Sequence, residues 1–171
     1  IDKGKGWEIF LQAMKTLIDR GYDVRGIIAG RGAQTEQMKS MIVQLGLDDV
    51  VEYLGGVPRE QLAQVYSKFD IFCNTSYLDE SLGLVTIEAM ACGIPVVGSN
   101  NAGIAECITD NENGLLFKVA DIDDLVENVI RYIGYPAEVK ESFRRKAVES
   151  AIKFETDVVM QELFEKLKQI V

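Results

Sequence analysis

Two kinds of segment alternate along this chain, and the alternation constrains the fold more than any other feature of the sequence. Helix-like segments carry apolar residues at intervals of three and four, as in Trp7–Arg20, which Gly21 closes. Strand-like segments are short and almost wholly apolar, as in Val24–Ala29. Short apolar strands that alternate with helices predict a parallel sheet covered by helices on both faces. The predicted fold class is therefore α/β, a Rossmann-like three-layer domain with a parallel sheet.

The same two patterns predict the remaining elements. Further strands are expected at 50–54, 71–74, 94–98 and 114–117, and further helices at 33–45, 58–68, 84–92, 103–107, 122–133, 138–153 and 158–170. In sheets of this kind, ligands bind at the carboxyl ends of the strands. The residues expected there, on one rim of the sheet, are Lys5, Gly30, Gly55, Glu80 and Ala102.

Charge and composition exclude several classes of function. The chain of 171 residues has a net charge of −9 and no basic cluster longer than 144–146, so no nucleic-acid partner is expected. It has no histidine, which excludes histidine-based catalysis and histidine-ligated metals within it. No signal peptide and no apolar run of roughly 18 residues is present. Three cysteines without Cys-x-x-Cys spacing predict reduced thiols in the cytosol.

The stretch 80–98 carries the strongest functional signal. Glu80 and Glu88 stand eight positions apart, and a helix from Leu84 is expected to end at Gly93. The amide donors and the positive dipole end at the start of this helix suit a phosphate. Glu88 falls one turn further in among apolar neighbours, where a carboxylate is costly to bury without a partner. Ligand hydroxyls beside an anchored phosphate would supply one.

These residues resemble the signature of family 4 retaining glycosyltransferases, which have the GT-B fold. The resemblance rests on Glu80-x7-Glu88 and on the residues from Gly83 to Val97. It continues in weaker pieces, which are Lys5-Gly6, 28–32, 54–57, 69–76, 103–106 and 113–116. Leu82 replaces a phenylalanine that is usual in the family, and Ala102 replaces the first of two glycines. The family's phosphate-binding arginine would precede Ile1, so the chain is expected to begin inside a motif.

The resemblance implies a function and a role for each residue. Residues 1–171 would be the donor-binding, C-terminal half of a transferase, truncated at its N-terminus and lacking the acceptor domain. The complete transferase would move a hexose-type sugar from a nucleoside diphosphate sugar to a glycan or lipid-linked acceptor, with retention of configuration. Glu80 would contact the donor sugar and act on its reacting centre, and Glu88 would bind the ribose. The diphosphate would be held by Lys5 and by the amides of Gly83, Leu84 and Val85.

The resemblance also implies partners and a location. Gly30 and Arg31 would approach the nucleotide, and neither a cofactor nor a metal is expected. The setting would be cell-envelope polysaccharide synthesis in the cytoplasm or at the inner face of the membrane. Membrane contact would be peripheral and made only through the missing half.

Other interpretations of the same residues stay open at this point. A non-catalytic nucleotide-sugar binding module would need the same site without an acceptor domain. Gly30-Arg31-Gly32 after a strand also fits a nicotinamide-dependent dehydrogenase, although Thr35 stands where the third glycine belongs. Asp121-Ile122-Asp123 could be a metal-binding pair, but Asp121 before an apolar helix favours a helix cap.

Overall fold

The computed structural model describes residues 1–78 and 83–160. Its helices are α1 (Trp7–Asp19), α2 (Thr35–Gln44), α3 (Leu62–Tyr66), α4 (Leu84–Ala91), α5 (Ala102–Ala105), α6 (Ile122–Ile133) and α7 (Ala137–Ile152). Its strands are β1 (Gly26–Ala29), β2 (Val51–Gly55), β3 (Phe72–Asn74), β4 (Val96–Ser99) and β5 (Gly114–Phe117). The α/β class and the helix–strand order predicted from the sequence are confirmed.

All the strand pairs are parallel. β1 pairs with β2, and β3, β4 and β5 form a second ladder with β4 in the centre. The sequence predicted one sheet, whereas hydrogen bonds among the described residues form a two-stranded and a three-stranded ladder. The carboxyl ends of paired strands therefore lie at the same edge of their ladder. The loops that follow these strands lie side by side along that edge, which is the rim.

Helix α1 joins the two ladders through its two apolar sides. Trp7, Leu11 and Met14 belong to a buried cluster that includes Ile28 of β1 and Val51 of β2. Ile9, Ala13 and Leu17, on the other side of the same helix, belong to the cluster that packs on β4 and β5. Each fully buried side chain of this size contributes about 1.5–3 kcal/mol. One amphipathic helix thus holds both sheets in a fixed relation.

Helices α4 and α7 cover the other side of the three-stranded ladder. Met90 of α4 and Val96 of β4 are completely buried in a cluster that also contains Ala147 and Ala151 of α7. The small alanine side chains let the two helices pack closely. Glu88 lies on α4, so this packing fixes the position of the helix that carries it.

Several of the predicted helix and strand boundaries were wrong. The helix expected at 58–68 is a 3-10 turn, Arg59–Gln61, followed by the short α3, and Pro58 precedes it in an extended conformation. The first strand begins at Gly26, two residues after Val24. The last predicted helix is described only through Met160, with 156–160 helical, and 161–171 lie outside the described residues.

The cap predicted at the start of α6 is confirmed. Asp121 precedes the helix, and its carboxylate accepts a hydrogen bond of 2.9 Å from the amide of Asp124. The Asp124 carboxylate in turn accepts from the amide of Lys118. The Asp121 carboxylate therefore serves the backbone, which favours the helix-cap interpretation of Asp121-Ile122-Asp123 over a metal-binding pair. No helix in the described ranges is long and apolar enough to cross a bilayer.

Candidate functional site

Residues 1–6, called here the rim segment, connect the loop after β1 with the loop after β3. At its start, the Ile1 carbonyl accepts from the amide of Gln34, and the Asp2 carboxylate accepts from the amide of Ala33. At its end, the Gly4 carbonyl accepts from the amide of Tyr77 at 2.9 Å. The exposed Lys5 therefore lies on the rim, between two strand ends, as the sequence predicted.

Buried hydroxyl groups tie the rim segment to the end of β3. Thr75 donates to the Gly6 carbonyl at 2.8 Å, and Ser76 donates to the Gly4 carbonyl at 3.1 Å. Both side chains are almost completely buried. The two carbonyls also accept from the backbone amides of Phe10 and Tyr77, so the hydroxyls add a second hydrogen bond to each and hold the backbone on each side of Lys5.

The same network reaches the helix that carries Glu88. The Asn74 side-chain amide, at the end of β3, donates to the Thr86 hydroxyl of α4 at 3.0 Å, and both residues are buried. Lys5 and the start of α4 are thus connected through three consecutive polar residues, Asn74, Thr75 and Ser76. No individual role was predicted for these three residues, although a polar run directly after an apolar strand was the available signal.

At the start of α4, where the sequence predicted three phosphate-binding amides, two have no acceptor among the described residues. Gly83 is the N-cap residue and has no side chain to cap the helix. Its own amide points to the Gly103 carbonyl, at a long distance of 3.4 Å. Among the described residues, no acceptor meets the amides of Leu84 and Val85, whose side chains are also exposed. The helix dipole adds positive potential here, so these two amides suit an anion.

Glu88 lies on the exposed side of α4, so the expectation that its carboxylate is buried among apolar residues was wrong. The apolar neighbours in the sequence, Ala89 and Met90, point into the core instead. Glu88 accepts a hydrogen bond of 3.2 Å from the hydroxyl of Tyr66. Burial of the ring, together with the Glu88 charge, raises the pKa of the Tyr66 hydroxyl. The Tyr66 hydroxyl therefore keeps its proton and can donate it to a hydrogen bond with the Glu88 carboxylate.

Gly30 and Arg31 follow β1 at the rim, as predicted. The Gly30 amide donates to the Gly55 carbonyl at 2.7 Å, and the Gly30 carbonyl accepts from the Tyr53 hydroxyl at 2.8 Å. Gly30 has a φ of +121°, which strains any other residue. The side chain of Arg31 is exposed and runs past Gly56. Glu80, the remaining predicted site residue, lies outside the described residues.

The described residues contain a cavity of about 380 Å³ at a different place, between β5 and α6. Its polar lining includes Asp110, Asp124 and Glu127. The structure already uses these carboxylates, because Asp110 accepts from the Leu116 amide and Glu127 is paired with Arg20. Within the described residues, no three acidic or cysteine side chains are grouped so that they could hold a metal ion. The rim is therefore the better candidate site.

A parallel α/β fold with an anion-suited rim defines a Rossmann-like, ligand-binding class of domain. Residues 1–153 match the model of the family described as glycosyl transferases group 1. The chain belongs to this family. It is 30% identical over 166 residues to a D-inositol 3-phosphate glycosyltransferase of Kribbella flavida, covering 92% of this chain and 39% of that protein.

Solved structures show the same fold. The Anabaena protein HepE, in complex with UDP and glucose, superposes with a TM-score of 0.85 at 24% identity over 99% of this chain and 46% of its own. The C-terminal domain of LpcC, a glycosyl transferase group 1 family protein from Francisella tularensis, superposes with a TM-score of 0.77 at 21% identity. The match covers 90% of this chain and 81% of that domain, so the chain has about the extent of one such domain.

The packing of the rim segment predicts that replacing Gly6 by alanine destabilises the protein more than replacing Gly21 by alanine. Gly6 has a φ of +70°, and a Cβ atom there would lie 1.9 Å from the Thr75 carbonyl oxygen. Gly21 has a φ of +84° and no atom within 4 Å of such a Cβ. Gly6→Ala should lower the free energy of unfolding by roughly 2–5 kcal/mol, from strain and overpacking, and Gly21→Ala by about 1 kcal/mol. Urea denaturation measures both, and equal losses would contradict the packing described for the rim segment.

Proposed function

We propose that this chain is the donor-binding domain of a retaining, family 4 glycosyltransferase that transfers a hexose-type sugar from a nucleoside diphosphate sugar to a glycan or lipid-linked acceptor. The observation that carries the proposal is that the amides of Leu84 and Val85, on a rim shared with Lys5, meet no acceptor among the described residues. Glu88 lies one turn further along the same helix, on its exposed side. Amides that can donate hydrogen bonds to a phosphate are thus adjacent, on α4, to a carboxylate that can accept hydrogen bonds from ligand hydroxyls.

The proposed chemistry follows from the leaving group. When the bond between the sugar and the diphosphate breaks, negative charge develops on the diphosphate. Backbone amides at a helix start and the Lys5 ammonium stabilise this charge in a fixed geometry, so they favour the transition state without a metal ion. Each preorganised donor of this kind contributes about 2.7–4 kcal/mol in well-characterised enzymes.

The two glutamates bind different parts of the donor substrate. Glu88, held by Tyr66, accepts hydrogen bonds from the ribose hydroxyls, which nucleoside diphosphates and nucleotide-sugars share. Glu80 precedes the helix, where it binds hydroxyls of the sugar and supports the positive charge that develops on the sugar ring. Gly30 and Arg31 let the backbone approach the nucleotide closely. The chain needs no cofactor for this role.

The complete enzyme needs a second domain for its acceptor. The chain spans well under half the length of the Kribbella relative, and its extent is close to that of the LpcC C-terminal domain. We therefore assign residues 1–171 to the donor-binding half and expect the chain to bind its ligand without turnover. The match to a family of transferases supports this role over a non-catalytic module or a dehydrogenase. The setting that fits is the cytoplasm or the inner membrane face, in the synthesis of envelope glycans.

Titration calorimetry of the 171-residue chain tests the proposal directly. The ligands are UDP, GDP, UDP-glucose and GDP-mannose. At least one nucleoside diphosphate and its nucleotide-sugar should bind with a Kd of about 0.1–1 mM, or roughly −5.5 to −4 kcal/mol. Because amides and Lys5 hold the diphosphate, a chelator should leave the Kd unchanged. Binding that disappears with the chelator would contradict the metal-free site, and no binding of any of the four would contradict the proposal.

Substitution of the two glutamates should separate their roles. Glu88→Gln should weaken the nucleoside diphosphate and its nucleotide-sugar equally, on the order of 1–3 kcal/mol, because a charged hydrogen bond to a shared part of the ligand is lost. Glu80→Gln should weaken only the nucleotide-sugar. Glu106→Gln, an exposed glutamate outside the proposed contacts, serves as the control. After folding is confirmed by circular dichroism, wild-type affinity of Glu88→Gln for both ligands would remove Glu88 from the site.

A further inference from the structure

One buried asparagine lies between the two parts of the proposed diphosphate site. Asn74 is the last residue of β3 and is 6% exposed. Its side-chain oxygen accepts from the amide of Ser76 at 3.3 Å, and its side-chain nitrogen donates to the hydroxyl of Thr86 at 3.0 Å. Because the Ser76 amide can only donate, it determines which way round the Asn74 side chain lies. Asn74 therefore uses both of its polar atoms to join the end of β3 to α4.

On α4, this contact falls in the turn that carries the amides proposed to bind phosphate. The side chains of Leu84 and Val85 are exposed, whereas that of Thr86 is completely buried. The amide of Thr86 donates to the Gly83 carbonyl at 2.8 Å, so it is already used within the helix start. Thr86 therefore anchors the start of α4 to β3 without belonging to the phosphate-binding amides.

At its other side, Asn74 acts on the rim segment through Ser76. The hydroxyl of Ser76 donates to the carbonyl of Gly4, the residue before Lys5, at 3.1 Å. Three hydrogen bonds thus run without interruption from Thr86 through Asn74 and Ser76 to Gly4, and all three are buried. A buried hydrogen-bonded network of this kind is rigid, and its members strengthen one another.

We propose that Asn74 is a positioning residue that keeps the amides of Leu84 and Val85 at a fixed spacing from Lys5, so that both parts bind one diphosphate. This inference rests on the proposed function. A ligand that bridges two parts of a site gains from both only if they are held in the bound geometry beforehand. Loss of the link through Asn74 should therefore reduce the affinity that Lys5 contributes.

A double-mutant cycle measures that contribution. The ligand is whichever of UDP and GDP the wild-type chain binds more tightly, and NMR titration gives the Kd. Lys5→Met should raise the Kd by about tenfold in the otherwise wild-type chain, because a charged hydrogen bond is lost. In the Asn74→Ala background the same substitution should raise it by less than about threefold, because the two residues are coupled.

Asn113→Ala is the matched control. Asn113 is also buried, and its side chain makes three hydrogen bonds, with Thr109, Cys107 and Ser150. Its loss lowers stability as the loss of Asn74 does, but it breaks no bond between α4 and the rim segment. In the Asn113→Ala background, Lys5→Met should therefore still raise the Kd by about tenfold.

Two variants of Thr86 repeat the test with the asparagine in place, so the comparison stands even if Asn74→Ala fails to fold. Thr86→Val keeps the shape of the side chain and loses the acceptor of the Asn74 hydrogen bond, whereas Thr86→Ser keeps the hydroxyl. The effect of Lys5→Met should fall below about threefold with Thr86→Val and stay at about tenfold with Thr86→Ser.

Amide hydrogen exchange of the ligand-free chain tests the link without a nucleotide. The amide of Tyr77 donates to the Gly4 carbonyl, at the far end of the network from Thr86. It should exchange about tenfold faster in Thr86→Val than in Thr86→Ser, after correction for global stability. The amide of Asn113, which donates to the Thr109 carbonyl, is the internal reference and should exchange equally in both.

The outcomes separate the two proposals. The positioning role would be overturned if Lys5→Met kept its tenfold effect with Thr86→Val, if it had no effect in the otherwise wild-type chain, or if Tyr77 exchanged equally in the two Thr86 variants. If the wild-type chain bound neither UDP nor GDP, the proposed function would fail. The exchange of Tyr77 alone would then decide whether Asn74 links α4 to the rim segment.

Discussion

The hydrogen bonds from Thr75 and Ser76 to the rim segment are the constraint on which the rest of the site depends. The Gly4 and Gly6 carbonyls accept from the amides of Tyr77 and Phe10, and two buried hydroxyls add a second hydrogen bond to each carbonyl, on either side of Lys5. Glycine at position 6 is required because a Cβ would collide with the Thr75 carbonyl. The backbone around a potential phosphate-binding lysine is therefore held by residues that follow β3.

Packing extends this constraint to the whole domain. Helix α1 begins at Trp7, directly after the rim segment, and its two apolar sides fasten the two parallel ladders together. On the other side, α4 is fixed by β4 and α7 through completely buried residues such as Met90. The site is thus made of strand ends and a helix start, which are rigid elements, rather than of a long loop. Such preorganisation is what the proposed electrostatic stabilisation of a diphosphate leaving group would require.

Much of the fold could be predicted from sequence because helix and strand periodicities differ. The strand Gly114–Phe117 and the helix Ile122–Ile133 match their predicted bounds, since an apolar run and an aspartate cap mark them clearly. The helix expected from Pro58 was shorter because its first turn is of the 3-10 type. The exposure of Glu88 could not be predicted, since apolar neighbours in sequence do not show which side of a helix faces solvent. The roles of Asn74, Thr75 and Ser76 depend on contacts distant in sequence, so the polar run after an apolar strand marks these residues without revealing their partners.

The most direct test of the central claim is to map where a nucleoside diphosphate binds on the folded chain. In a ¹⁵N-labelled sample titrated with UDP or GDP, the backbone amides that shift should cluster at Lys5 and Gly6, at Gly30 and Arg31, and at Leu84 and Val85. Residues that line the cavity between β5 and α6, such as Asp110 and Arg131, should not move. Shifts that centre on that cavity while the amides of Leu84 and Val85 stay unchanged would contradict the account.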